Sequence, residues 1–224
     1  MGRLNGTGST SALRSKLFPH GFAGEVMRQM LETWNKFSLH RDVRLEERIT
    51  ALFAMALEDD YVAQGRSWFV FPEAPVTDPT FGTQTGRNDL RFYHRDIPGQ
   101  RAFFTVECKR LHVTTDSGFR PLADQYVKEG LQRFVDGKYS AGLPYGGMLG
   151  YVMDNRTSDA FARVCDEITS QRKSLKMERE SSLLIPSLVL SGYRHSADTF
   201  HQRSDGEFTV YHLLVGVVQS SRRN

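Results

Sequence analysis

The sequence is poor in cysteine and has no long apolar run. Its two cysteines, Cys108 and Cys165, are too few for a disulfide framework and lack the paired spacing of a zinc knuckle. No apolar segment reaches the roughly 18 to 20 residues that span a bilayer, so we expect no membrane partner. The first residues contain no apolar stretch of the kind that forms a secretory signal, and the chain is therefore expected to be cytoplasmic.

Acidic residues are absent from residues 1 to 24, although the whole chain carries 26 of them against 29 lysines and arginines. Because this segment is also rich in glycine and serine, we expect residues 1–20 to form a flexible basic leader. The formal net charge of +3 permits nucleic acid as a partner without requiring it. The rest of the chain, 21–224, is long enough for one globular domain with additions.

Hydrophobic spacing predicts an alternation of helices and strands. The helices are expected over 21–37, 42–57, 121–137 and 157–174, and the strands over 67–71, 86–93, 103–109, 147–153, 183–191 and 207–218. This order predicts an α/β or α+β fold with a mixed central sheet.

Three local features refine this prediction. The second helix should begin at Asp42 as N-cap and face the core with four apolar residues, Leu45, Ile49, Leu52 and Ala56. Pro72 should end the first long strand, and Pro98-Gly99 should turn a hairpin between the next two. The glycines of 142–150 should let the backbone turn into the following strand.

The segment 103–109 combines an apolar strand with two charges. Strand side chains alternate between faces, so Glu107 and Lys109 share one face with Phe103 and Thr105, while Cys108 lies on the other face with Phe104 and Val106. A strand that is apolar on both faces should be covered by helices. Charges at such a place are costly unless they are paired, so they indicate a function.

A second acid lies on the preceding predicted strand, at Asp89. An acid on one strand and an acid-x-lysine on its neighbour can bind a hard cation beside a phosphodiester, because Mg²⁺ prefers carboxylate, carbonyl and water oxygens. In contrast, His195, His201 and His212 lack the spacing of zinc ligands and are expected on the surface or in the core.

Asp89 followed by Glu107-Cys108-Lys109, within this order of elements, resembles the PD-(D/E)XK nuclease superfamily. The resemblance implies the restriction-endonuclease-like fold, with an α-β-β-β-α-β core over about 40–153. The helix before it would be an addition, and 154–224 would be a C-terminal elaboration with extra strands. Asn88 stands where the superfamily signature has proline.

The resemblance also implies roles for individual residues. Asp89, Glu107 and the main-chain carbonyl of Cys108 would bind Mg²⁺, for which Mn²⁺ would substitute. Lys109 would orient the attacking water or stabilise the transition state. Many members add to the catalytic and metal-binding residues a glutamate from the first core helix. Glu46 is preferred for this role because it stacks with the core residues that follow it; Glu47 stays an alternative.

The helix over 121–137 offers weaker candidates for contact with nucleic acid. Gln125 and Tyr126 fall early on this helix, where some relatives contact substrate, and Lys128 and Arg133 carry positive charge that phosphates could meet. The simpler interpretation of all four residues is a solvated helix face with a tyrosine at the edge of the core.

The function implied by the resemblance is Mg²⁺-dependent endonucleolytic hydrolysis of DNA in prokaryotic restriction or anti-phage defence. The chain could serve as the nuclease subunit of a larger system with a separate NTPase or sensor, and a homodimer is expected. Two alternatives stay open. One is a catalytically inactive subunit that keeps the fold and binds nucleic acid or a protein; the other is a nuclease that cuts RNA.

Overall fold

The computed structural model describes residues 21–77, 83–97, 102–177 and 184–220, and within them it has mixed α/β structure. The helices are α1 (Phe22–Lys36), α2 (Glu46–Gln64), α3, which runs through Ala123–Gln125, Tyr126–Leu131 and Gln132–Val135, and α4 (Thr157–Ser170). The strands are β1 (Leu39–His40), β2 (Trp68–Thr77), β3 (Gln84–His94), β4 (Phe103–Leu111), β5 (Val113–Thr115), β6 (Gly118–Arg120), β7 (Tyr145–Val152), β8 (Ile185–Pro186), β9 (Ser196–Arg203), β10 (Gly206–Gly216) and β11 (Gln219–Ser220). The expected leader 1–20 and the Pro98-Gly99 turn lie outside the described residues.

Seven strands form one mixed sheet in the order β2-β3-β4-β7-β10-β9-β8. The strands β2, β3 and β4 are antiparallel neighbours, whereas β4 and β10 both run parallel to β7. In chain order, α2, β2, β3, β4, α3 and β7 therefore follow one another as helix, three strands, helix and strand. Among the described helices none is long and apolar enough to cross a membrane.

Helices cover both faces of the sheet, as the two-sided apolar character of β4 predicts. On one face α1 and α2 pack on a core that includes Phe104, Val106 and Cys108 of β4. On the other face α3 and α4 pack on a second core that includes Leu111 at the end of β4. Phe22, Val26, Met30 and Trp34 recur every four residues in the sequence, which predicts one apolar face of α1, and all four are buried.

The predicted start of α2 is wrong, and of the four residues predicted to face the core only Ile49 is buried. The helix begins at Glu46 after Leu45, not at Asp42. Leu45 and Leu52 are 50% and 39% exposed, whereas the buried face is formed by Ile49, Thr50, Phe53, Ala54 and Leu57. The buried stripe is therefore rotated from the predicted one, and Glu46 lies on the side of the helix that meets the sheet.

The strand β2 continues through Pro72 and Pro75 to Thr77, so the prediction that Pro72 ends it is wrong. Proline removes one backbone donor, which is tolerated on an edge strand. β2 is the edge strand of the sheet, and its register with β3 pairs Pro72 with Leu90 and Pro75 with Arg87.

The C-terminal part is more than an elaboration of the core. Sequence spacing missed β9, and it placed α4 to residue 174 although the helix ends at Ser170. β10 lies next to β7 inside the sheet, and its side chains enter both cores, with Leu213 and Val215 in one and Phe208, Val210 and Leu214 in the other. The final strands therefore complete the fold.

The glycines of β7 are required by neighbouring side chains. A Cβ at Gly146 would lie 2.6 Å from Phe134 Cε1, and one at Gly150 would lie 2.9 Å from Leu111 Cδ1. Gly142 has φ of +71° and does serve a turn, as expected. The prediction that the whole glycine-rich segment serves a turn is wrong, since its later members lie in a tightly packed strand.

Candidate functional site

The alternation of β4 places its two charged side chains on the face that α3 covers. Glu107 is 1% exposed, and the Lys109 side chain is 13% exposed. A Cβ at Gly130 of α3 would lie 2.5 Å from Met148 Cε of β7, so the glycine lets the helix approach the sheet beside Lys109. The side chain of Cys108 points to the opposite face, where Tyr151 donates a hydrogen bond to its sulfur at 3.5 Å.

Asp89 reaches β4 where the ladder between β3 and β4 ends. The last backbone pair is Leu90 with Val106, and beyond it the Asp89 carboxylate accepts a hydrogen bond from the Cys108 N–H at 2.7 Å. The side chain thus takes the place of a backbone acceptor. On the other side of Asp89, β2 contains Glu73 in the left-handed region with φ of +50°, between the pairs formed by Pro72 and Ala74. Such non-glycine residues are found preferentially at functional sites.

Lys109 is surrounded by oxygens. Its Nζ donates to Glu107 Oε1 at 2.8 Å, to the Cys108 carbonyl at 2.9 Å and to Glu46 Oε1 at 3.3 Å. The other oxygen of Glu46 accepts from the Arg110 N–H at 2.7 Å. The first turn of α2 therefore meets the end of β4 through Glu46, whereas Glu47 is exposed.

A second cation approaches Glu107 from α3. Arg133 Nη1 donates to Glu107 Oε1 at 3.1 Å and to the Tyr139 hydroxyl at 2.9 Å. That hydroxyl in turn donates to the Arg87 carbonyl of β3 at 2.9 Å. The Arg133 side chain is 40% exposed, so it joins the buried acid to the surface.

The charged groups of the site shift one another's pKa values. Burial raises the pKa of Glu107 to about 7, and the nearby charge of Asp89 adds to this, against the opposing effect of Lys109. Burial also raises the pKa of Asp89, which Lys109 and the Cys108 N–H partly offset. Burial lowers the pKa of Lys109, but the carboxylates of Glu107, Glu46 and Asp89 raise it above its ordinary value. Lys109 is therefore a charged donor at neutral pH.

The donor set around Glu107 suits a hard cation. Glu107 Oε2 is buried and has no hydrogen-bond partner among the described residues. With a carboxylate oxygen of Asp89 and the Cys108 carbonyl, it provides the oxygen ligands that Mg²⁺ prefers. No three His, Cys, Asp or Glu side chains converge as a metal cluster within the described ranges, so such a site would depend on these two acids and the carbonyl.

The weaker candidates of α3 separate into two groups. Arg133 belongs to the site, although the sequence favoured a solvated position for it. Tyr126 is fully buried, and its hydroxyl is 3.0 Å from His212 Nδ1, so its prediction as a surface contact to nucleic acid is wrong. Gln125 is half-buried and Lys128 is exposed; none of the contacts described for this chain joins either to the acids of β3 and β4.

Sequence reasoning missed Tyr139 and the part that Arg133 plays. The middle of α3, Tyr126–Leu131, is a π-helix, which hydrophobic spacing did not reveal. Because a π segment changes the number of residues per turn, the later part of α3 is rotated relative to a regular α-helix. Tyr139 lies beyond the helix, and no motif marks it. The sequence did offer one signal. The predicted site has surplus negative charge, which an arginine and a tyrosine from a later part of the chain could offset.

The acids of two adjacent strands, one lysine and one arginine thus converge around the Cys108 peptide. No protein-family model, curated protein or solved structure matches this chain.

Proposed function

We propose that this chain is a metal-dependent nuclease of the PD-(D/E)XK type, with a restriction-endonuclease-like core, that hydrolyses phosphodiester bonds in DNA. The observation that carries the proposal is the convergence of Asp89, Glu107 and Lys109 around one peptide group, where the ladder between β3 and β4 ends. The order of α2, β2, β3, β4, α3 and β7 supports the fold assignment.

The surroundings of each residue in the proposed site favour a particular role in catalysis. Asp89, Glu107 and the Cys108 carbonyl would hold Mg²⁺, which would lower the pKa of a bound water and neutralise charge on the phosphate. Because its pKa is raised, Lys109 cannot serve as a general base at neutral pH; it donates hydrogen bonds to developing negative charge. Glu46 holds Lys109 and the Arg110 N–H, and thereby orients the ammonium.

The test compares nicking of supercoiled plasmid DNA by wild-type protein and Lys109→Ala in the presence of Mg²⁺. Loss of one well-placed donor should slow cleavage by about 100-fold or more. Lys36→Ala is the matched control, because Lys36 lies on α1 with its side chain 61% exposed. Circular dichroism checks that both variants fold. Equal cleavage by wild type and Lys109→Ala would refute the nuclease proposal.

One observation favours a second function, a non-catalytic subunit that binds nucleic acid or a protein. In this structure the Lys109 ammonium already contacts Glu107, Glu46 and the Cys108 carbonyl, so part of the negative charge of the acids is offset without a metal. Titration calorimetry with Mn²⁺ separates the two functions. The nuclease predicts heat that Asp89→Ala removes, whereas the subunit predicts no such heat and binding of DNA that Asp89→Ala leaves unchanged.

A further inference from the structure

The helix α2 has an exposed apolar row on the side that faces away from the sheet. Leu52, Met55 and Val62 are 39%, 62% and 73% exposed, and Leu45, just before the helix, is 50% exposed. Single exposed apolar residues are normal on a protein surface, but four of them along one side of a helix indicate a contact surface. On its other side α2 is already packed in the core through Ile49 and Phe53. The row is therefore available to a partner.

The exposed row has the spacing of a coiled-coil contact. Four apolar and two charged residues follow one another in steps of three and four along one line, which we call the α2 seam: Leu45, Arg48, Leu52, Met55, Asp59 and Val62. Such steps are the a and d positions of a heptad, which face a second helix. Because α2 has this seam on one side and its buried stripe on the other, it can bind a partner helix while it stays packed against the core.

The order of residues in the α2 seam makes it complementary to itself. If a second copy runs antiparallel, Leu45 meets Val62, Leu52 meets Met55, and Arg48 meets Asp59 of the other copy. A parallel copy would instead place Arg48 against Arg48 and Asp59 against Asp59, which is unfavourable. Arg48 and Asp59 are both exposed, and no ion pair joins either to another residue that the structure describes.

We propose that a second copy of this chain docks on the α2 seam and forms a two-fold symmetric dimer with antiparallel α2 helices. The symmetry follows from the pairing, since each contact occurs twice. This dimer does not depend on the proposed chemistry. It would separate the Glu46 residues of the two copies by ~22 Å along the helix axis, at 1.5 Å per residue.

Sedimentation equilibrium over the micromolar range tests the proposal with the whole chain. Wild-type protein should be dimeric, and Met55→Glu should raise the dissociation constant by at least about tenfold, because it buries an unpaired charge. Val218→Glu is the matched control, since Val218 is 65% exposed and lies outside the α2 seam. It should leave the dimer intact. A monomeric wild type, or equal behaviour of the two variants, would overturn the proposal.

A charge exchange tests the antiparallel register. Arg48→Glu and Asp59→Arg should each weaken the dimer, because each opposes like charges across the contact. An equimolar mixture of these two variants should form a heterodimer, and the double variant should dimerise again. Arg48 and Asp59 are eleven positions apart on one helix and cannot pair within a chain. Failure of both the mixture and the double variant to associate would exclude this register and with it the proposed dimer.

Discussion

Two effects on the charge of the Asp89 carboxylate oppose each other. Its carboxylate must be charged to bind a cation, yet it lies beside Glu107 in a place where burial raises the pKa of both acids. A carboxyl group whose pKa is raised by folding disfavours the folded state when it is ionised. The site therefore costs stability in the absence of a cation, and a bound cation would recover it.

Asp89→Asn should consequently stabilise the protein while removing the proposed cation binding. Asparagine keeps an oxygen that can accept from the Cys108 N–H, but it carries no charge next to Glu107. In EDTA we expect the melting temperature to rise by a few degrees, since about 1 kcal/mol corresponds to ~2–4 °C at this chain length. Mg²⁺ should then raise the melting temperature of wild type and leave that of Asp89→Asn unchanged.

Differential scanning fluorimetry with and without Mg²⁺ measures both effects. Asp116→Asn is the control, because Asp116 is exposed and lies in the turn between β5 and β6, and it should behave as wild type in both conditions. A melting temperature of Asp89→Asn below that of wild type in EDTA would contradict the assigned cost of the paired acids.

At the level of residues, the sequence predicted which charged side chains lie together but not all of their hydrogen-bond partners. The two-residue period of a strand puts Glu107 and Lys109 on one face, and the preference for Glu46 over Glu47 agrees with the contacts of Lys109. Arg133 lies 26 positions after Glu107, and only the π segment and the packing of α3 bring them together. No local pattern encodes such a contact.

Three elements and the segment after α4 are joined by a buried chain of hydrogen bonds that does not touch the proposed site. Tyr126 of α3, His212 of β10 and Thr199 and His201 of β9 follow one another at 2.7 to 3.0 Å, and the chain ends at the Leu175 carbonyl beyond α4. A carbonyl can only accept, so His201 donates to it and each preceding group donates to the next. Both histidines are neutral in this arrangement, because burial lowers the pKa of His201 to about 4 and that of His212 to about 3, against the opposing effect of the Leu175 carbonyl on His201.

This chain of hydrogen bonds should make the free energy of unfolding depend on pH. Below pH 6.5 an unfolded histidine binds a proton, whereas folded His201 stays neutral until about pH 4. Since the unfolded state then binds more protons, the free energy of unfolding falls as pH decreases through this window, by up to ~1.4 kcal/mol per pH unit for each histidine. Glu107 acts in the opposite direction, because its raised pKa costs stability as pH rises from 4.5 through about 7.

His201→Gln isolates the histidine contribution, because Glu107 is present in both proteins and its effect cancels in their difference. Urea denaturation between pH 4 and 7 should show a shallower loss of stability toward acid in the variant. At pH 7 the variant should be the less stable protein, because it disturbs a fully paired buried network. Parallel pH profiles of the two proteins would show that His201 is not held neutral by the fold.

At the level of elements, prediction succeeded where hydrophobic periodicity is strong. It failed where the position of a strand in the sheet determines its length or its composition. The buried faces of α1 and β4 could be predicted from spacing alone. The length of β2 could not, because its prolines are tolerated only on an edge. β9 carries Asp198, His201 and Arg203 as buried polar residues, which hides it from an apolar pattern although the strand is almost fully buried.

For the whole molecule, the position of β10 decides whether the C-terminal part can be separated from the rest. The sequence favoured a core that ends near residue 153, but β10 pairs with β7 over eight residues and contributes to the cores on both faces. Trp34 of α1 also donates to the Gly216 carbonyl at the end of β10 at 3.0 Å. We therefore expect the chain from α1 to β10 to unfold as one cooperative unit.

Leu214→Ala tests this cooperativity. Leu214 is fully buried in β10, and its loss should cost about 2–5 kcal/mol through lost burial and a cavity. In a Trp34→Phe background the remaining tryptophan, Trp68, reports on β2 at the far edge of the sheet. If the sheet is one unit, Leu214→Ala lowers the urea midpoint of Trp68 fluorescence as much as that of far-ultraviolet circular dichroism. Leu188→Ala, at a side chain that is 77% exposed, should move neither midpoint.

Different midpoints for the two probes would mean that β10 and β9 form a separate unit docked on β7. Parallel pairing of β10 with β7 argues against this outcome, because loss of β10 would expose the backbone groups along β7 and uncover Leu149 and Tyr151, which are fully buried. The same loss would remove the support for β4, which pairs with the other side of β7 and carries Glu107 and Lys109. Removal of the chain beyond residue 183 should therefore abolish the proposed site together with the fold, even though none of the residues described beyond 183 contributes to it.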